Sequence, residues 1–261
     1  MELVENFSNS LQYLRIAVFS SGIRLRDLKT IPAKTEKKAV EFGSQVKNLK
    51  ELDVEMTDLI FGDDPIVTPF VWRRFFKAMR TSLEKLKMQF RKNKAWELYN
   101  DFELLEKNSL TNLKCLSVWW SDCILHFDIT KLTKISNQLE ILELVGTCGK
   151  FNIGADNLDW IPLSLKKLVF PVFPFSDRSG MNNWTFLKAV ISARDSLVVQ
   201  YDGTIDIKMA ESLGVFLTKP NFVWTQIDYN NLKEKTVALG LCEKFGIPTE
   251  KLHNIGWRTR W

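Results

Sequence analysis

The amino-acid sequence predicts an α/β fold, with parallel strands lining the inside of a curved sheet and helices covering the outside. Three observations lead there. A six-residue phrase, made of an apolar residue, two variable ones, Leu, one variable residue and another apolar one, occurs six times between Leu11 and Phe170. Each copy alternates apolar and variable positions over a span too short for a helix, as a strand with one buried face does. The segments between copies carry helical spacing and helix-stopping residues instead. Strand and helix units joined repeatedly in one sense require parallel strands, covered on the far side by their connections.

In chain order the phrases are Leu11-Gln-Tyr-Leu14-Arg-Ile16, Leu49-Lys-Glu-Leu52-Asp-Val54, Leu83-Glu-Lys-Leu86-Lys-Met88, Leu113-Lys-Cys-Leu116-Ser-Val118, Leu139-Glu-Ile-Leu142-Glu-Leu144 and Leu165-Lys-Lys-Leu168-Val-Phe170. Their first residues are spaced by 38, 34, 30, 26 and 26 residues. The early turns are therefore expected to hold longer helices or inserted loops. Weaker copies at Val198-Val-Gln-Tyr201-Asp-Gly203 and Trp224-Thr-Gln-Ile227-Asp-Tyr229 follow at intervals of 33 and 26 residues. Eight strands about 4.8 Å apart would build an inner wall on the order of 38 Å long.

Four helices are expected between and after the strands. The first runs from Pro69 to Met79, with Thr68 as cap, Pro at the first helical position and Phe70, Phe76 and Met79 near helical spacing. The second covers about Lys94 to Lys107. The third spans Asn183 to Arg194 with Trp184, Leu187, Val190 and Ile191 inward, and the fourth Leu232 to Phe245, stopped by Gly246 and Pro248. The whole chain, 1–261, reads as one elongated domain with a C-terminal cap over about 230–261.

Composition agrees. Hydrophobic residues make up 45%, while Gly and Pro number only 12 and 8, which excludes disordered and collagen-like chains. Nine Trp and eighteen Phe supply large rings to fill gaps between unequal turns. Cys115, Cys123, Cys148 and Cys242 show neither a Cys-x-x-Cys pair nor framework spacing, so reduced thiols and a cytoplasmic or nuclear location are expected. No secretory leader and no apolar run of about 18 residues is visible, so no membrane association is expected. Without a leader, the glycosylation matches Asn6-Phe-Ser and Asn183-Trp-Thr carry no weight.

The phrase spacing resembles that of leucine-rich-repeat proteins of the ribonuclease-inhibitor-like kind, particularly the irregular arrays that follow the F-box in ubiquitin-ligase substrate receptors. The resemblance covers about residues 8 to 230. Cys123 and Cys148 fall one or two positions beyond the place where the family carries Asn or Cys in the turn, and Ile161 to Phe170 also looks like repeat units of such proteins. A leucine-rich-repeat solenoid is what this implies, and with it a role as a ligase adaptor. No F-box is found before the first phrase at Leu11, so in that role the module either lies outside this sequence or has been lost.

Catalytic chemistry finds little support. Only His126 and His253 exist, neither in a nucleophile or metal-ligand motif, and no cofactor or metal site is expected. Asp63-Asp64-Pro65 suits the start of a helix, where acidic residues stabilise the dipole. Gly146-Thr-Cys-Gly-Lys150 lacks the spacing of a phosphate loop. The chain reads as a non-enzyme.

Binding is the better expectation. Positions 3, 5 and 7 of each phrase point to the inside of the bend. They are Tyr13, Arg15 and Ala17; Glu51, Asp53 and Glu55; Lys85, Lys87 and Gln89; Cys115, Ser117 and Trp119; Ile141, Glu143 and Val145; Lys167, Val169 and Pro171. An acidic turn thus meets a basic one, and then an apolar centre at Trp119, Ile141 and Val145. The charges are expected either to pair across strands or to face a partner, and the apolar centre suits a protein-binding hot spot. The run Arg73 to Lys94 holds nine Lys or Arg against Glu84, in a chain of net charge +5. It reads as a solvated helical face, a site for an acidic protein or, as the alternative, a nucleic-acid contact. The tail Ile255 to Trp261 reads as a cap or as an insert into a neighbour.

Overall fold

The computed structural model describes residues 12–19, 48–57, 79–91, 97–99, 110–121, 124–128, 133–146, 149–152, 158–170, 183–201, 203 and 205–254. The fold is α/β, and eight strands run parallel to a neighbour in the predicted manner. The chain divides into two compact units, residues 1–154 with 159–165 and residues 155–158 with 166–261.

In the first unit the sheet follows the order β1 (Tyr13–Phe19), β2 (Glu51–Thr57), β3 (Lys85–Arg91), β5 (Cys115–Ser121) and β7 (Ile141–Gly146), all parallel. The phrases lie in register. Leu14, Leu52, Leu86, Leu116 and Leu142 stand opposite one another, and so do Ile16, Val54, Met88, Val118 and Leu144. Leu49, Leu83, Leu113 and Leu139 form a further buried rank just before the strands. From β2 to β7 the three apolar positions of the phrase are therefore three stacked ranks of the core. Each fully buried Leu contributes about 1.5–3 kcal/mol relative to exposure.

The backbone repeats as regularly. At the entry to each strand one carbonyl accepts two N–H groups from the next turn: Gln12 from Lys50 and Glu51, Lys50 from Glu84 and Lys85, Glu84 from Lys114 and Cys115, and Lys114 from Glu140 and Ile141. At the other end of β7, Gly146 lies opposite Trp120, and a Cβ there would overlap the indole ring.

The connections in this unit differ from the expected helices. β4 (Glu97–Tyr99), β6 (Ile124–Asp128) and β8 (Gly149–Asn152) form a second parallel sheet in the order β4-β6-β8. Residues 97–99, expected in a helix over Lys94 to Lys107, are thus strand, because each pairs with the corresponding residue of the next turn. Cross-strand pairing of this kind overrides a weak helical pattern. Gly146 and Gly149 belong to strands β7 and β8. The expected helix at Pro69 to Met79 lies outside the described residues except for Met79, which is buried.

In the second unit β9 (Lys167–Phe170), β10 (Val198–Tyr201) and β11 (Phe222–Val223) pair in parallel. Lys166 O accepts Val198 N at 2.8 Å, continuing the strand-entry pattern. Helix α1 (Asn183–Ala193) follows its expected span and buries Leu187, Val190 and Ile191. Beyond it come α2 (Ile207–Leu213) and a 3-10 turn at Gly214–Thr218. The phrase at Trp224 does not supply the next strand beside β10. Phe222–Val223 takes that place, and β12 (Ile227–Tyr229) pairs instead with β13 (Leu252–Asn254).

Helix α3 (Leu232–Phe245) has the expected bounds. Asn231 caps it by accepting Glu234 N at 2.9 Å, and Glu234 Oε2 accepts Asn230 N in return, which satisfies two otherwise orphaned donors. Gly246 ends it at φ 68, a left-handed conformation that glycine adopts without strain. The tail 255–261 lies outside the described residues.

Candidate interaction surface

Strand alternation turns the variable positions of β1, β2, β3, β5 and β7 away from the leucine ranks and arranges them as rows across the first unit. Tyr13, Glu51, Lys85, Cys115 and Ile141 form one row; Arg15, Asp53, Lys87, Ser117 and Glu143 the next; Ala17, Glu55, Gln89, Trp119 and Val145 the third. At about 4.8 Å per strand, five strands span about 19 Å. All ten residues singled out from the sequence, Glu51, Asp53, Glu55, Lys85, Lys87, Ser117, Trp119, Ile141, Glu143 and Val145, lie on this one face.

Most of its charges are engaged with one another. Lys85 Nζ stands 2.6 Å from Glu51 Oε1, Arg15 reaches Glu55 at 2.9 Å and Asp53 at 3.8 Å, and Gln89 donates to Asp53 at 2.8 Å. Asp53 and Glu55 are only 8% and 9% exposed, so these donors offset the cost of removing two carboxylates from water. The bonds have electrostatic consequences. The Arg15 guanidinium is held above its ordinary value, first by the hydrogen bond to Glu55 and then by Asp53. Lys85 is likewise raised by its bond to Glu51.

The centre of the face is different. Ser117 donates to Glu143 at 2.6 Å. Trp119 remains 39% exposed, with the Lys87 ammonium 4.3 Å from its ring centroid. A shallow cavity of about 310 Å3 opens over the charged turns, bordered by Tyr13, Glu51, Asp53, Lys85, Lys87 and Cys115, and reaches this centre only at Ser117. Burial pushes the Cys115 thiol up, so it stays protonated at neutral pH and makes a poor nucleophile.

Other expectations fare unevenly. Val169, expected to point outward, is buried at 4% exposure, so β9 is covered on both faces there. Lys167 lies in β9, and Pro171 is outside the described residues. Of the basic run, Lys85 and Lys87 are occupied as above, while Glu84 takes Lys114 at 3.0 Å and Lys50 at 3.5 Å. Arg73, Arg74, Lys77, Lys92 and Lys94 are outside the described residues, as are Asp63 and Asp64. Cys123 and Cys148 are too. His126 lies in β6.

Sequence reading missed three groups. His253 Nδ1 lies 3.2 Å from Asp228 Oδ1 and 3.0 Å from Gln226 Nε2, because β12 and β13 pair across 25 residues of chain. Arg15 joins two carboxylates of the next strand, a role legible once the phrases are set in register. Asn221, buried, donates to the carbonyls of Ile191, Arg194 and Leu197 at 3.0–3.2 Å and ties the end of α1 to the start of β10. No repeated spacing marks Asn221.

Among the described residues no cluster of His, Cys, Asp or Glu could hold a metal ion, and no helix is long and apolar enough to cross a membrane. Comparison with protein families and with curated proteins finds no match to the chain.

Proposed function

We propose that the chain is a non-catalytic interaction scaffold, a leucine-rich-repeat solenoid whose concave wall holds a protein partner around Trp119. One observation carries the reading: a large aromatic side chain, 39% exposed, stands in a face where nearly every neighbouring polar group is already satisfied. Exposed Trp119 opposite aliphatic Val145 provides the kind of anchor on which binding energy concentrates. The satisfied polar rim costs little to desolvate further. The resemblance adds a narrower role, the substrate-recognition part of an intracellular ubiquitin-ligase receptor, with its adaptor module supplied from outside this sequence. A nucleic-acid contact through Arg73 to Lys94 is the weaker reading, since Lys85 and Lys87 already have partners within the face.

Affinity purification of the wild type and of Trp119→Ala, with proteins quantified by mass spectrometry, tests the proposal. The variant is expected to fold and melt like the wild type but to lose one or more stoichiometric partners. Equal recovery by both would remove this face from consideration.

A further inference from the structure

The three described rows of the first unit's face carry three cations, Arg15, Lys85 and Lys87, and four carboxylates, Glu51, Asp53, Glu55 and Glu143. Lys85 balances Glu51 at 2.6 Å. Arg15 lies between Glu55 and Asp53, and Lys87 stands opposite Asp53 in the ladder. Within these rows Glu143 is left over. Its hydrogen bond comes from Ser117, a neutral hydroxyl, and no cation of the described residues reaches it. Two residues along and one strand over is Trp119, opposite Val145 of Glu143's own strand.

We infer that Glu143 and Trp119 together receive a single basic side chain, an arginine or lysine, of the protein partner proposed above; the inference rests on that reading. Two physical arguments select this chemistry. A carboxylate without a cation attracts one, and the pairing strengthens as the approaching partner excludes water. The indole beside it already holds one cation, Lys87, at 4.3 Å. Lys87 comes from β3 and Glu143 from β7, on opposite flanks of β5, so the flank of Trp119 toward Glu143 is where a second cation finds a counter-charge. A planar guanidinium can stack on the ring while its edge pairs with the carboxylate. The chain as a whole carries +5, which repels strongly basic partners at long range. The site therefore suits one isolated basic residue in an otherwise neutral or acidic segment, and does not suit a polybasic tail.

The test uses a phage-displayed library of random peptides panned on the full chain, followed by calorimetric titration of an enriched synthetic peptide. Enriched sequences are expected to share one Arg or Lys beside an apolar residue. Glu143→Gln, whose side-chain carbonyl can still accept from Ser117, should weaken binding about tenfold or more, the scale of one charge-assisted bond. Replacing the peptide's basic residue by citrulline should give the same loss without altering the protein. Enriched peptides lacking a basic residue, or affinities within about twofold after both changes, overturn the inference. If Trp119→Ala abolishes binding while the charge changes do not, only this inference falls. If no enriched peptide depends on Trp119, or none is enriched, the interaction wall falls with it.

Discussion

Glu84 illustrates what a single residue does in this chain. It sits between Lys114 at 3.0 Å and Lys50 at 3.5 Å, at the same point of three successive phrases. The hydrogen bond from Lys114, then its charge and that of Lys50, hold the Glu84 carboxyl below the ordinary carboxylate range. A depressed folded-state value means that the contribution to stability is complete above the unfolded-state value and is lost as pH falls through the folded one. Melting temperature is therefore expected to fall on acidification below about pH 5, and Glu84→Gln should make that slope shallower. Calorimetric scans of both proteins at a series of pH values check this, and added salt should shrink the difference because all three side chains face water. Equal slopes would show that the ion pairs contribute nothing measurable. The pairing itself follows from the phrases: opposite charges at equivalent positions meet once the leucines are in register.

The strand with its buried rank is the unit that repeats. Leu116 is fully buried between Leu86 and Leu142, whereas Trp119 on the same strand faces outward. Leu116→Ala is expected to cost about 2–5 kcal/mol, the range for a buried Leu whose cavity cannot collapse, read as a lower midpoint in urea unfolding. Trp119→Ala should leave the midpoint nearly unchanged. A Leu116→Ala variant as stable as the wild type would contradict the continuous core rank. Elements differ in how plainly they are written. The bounds of α3 are readable because Asn231, Gly246 and Pro248 act locally on the backbone. Residues 97–99 are not, since three residues carry no decisive period and their strand character comes from pairing with Ile124 to His126, far along the chain.

At the scale of the molecule the question is what its charge is for. A net +5 concentrated around Arg73 to Lys94 suggests phosphate binding on charge alone. Yet Lys85 and Lys87 meet Glu51 and Trp119 at the surface, so the charge that would face a duplex is reduced. Lys85→Glu with Lys87→Glu is therefore expected to leave retention on DNA and its salt dependence barely altered. A steep slope abolished by those two reversals would favour the nucleic-acid reading. By itself the sequence determined the parallel α/β class, the five in-register strand phrases of the first unit and their outward rows, and helices α1 and α3, because those follow from local periodicity and caps. Only the tertiary structure decided that β4, β6 and β8 form a sheet, that Phe222–Val223 displaces the phrase at Trp224, and that Glu143 meets no cation among the described residues. Each of these depends on which distant residues become neighbours, and no local pattern carries that information.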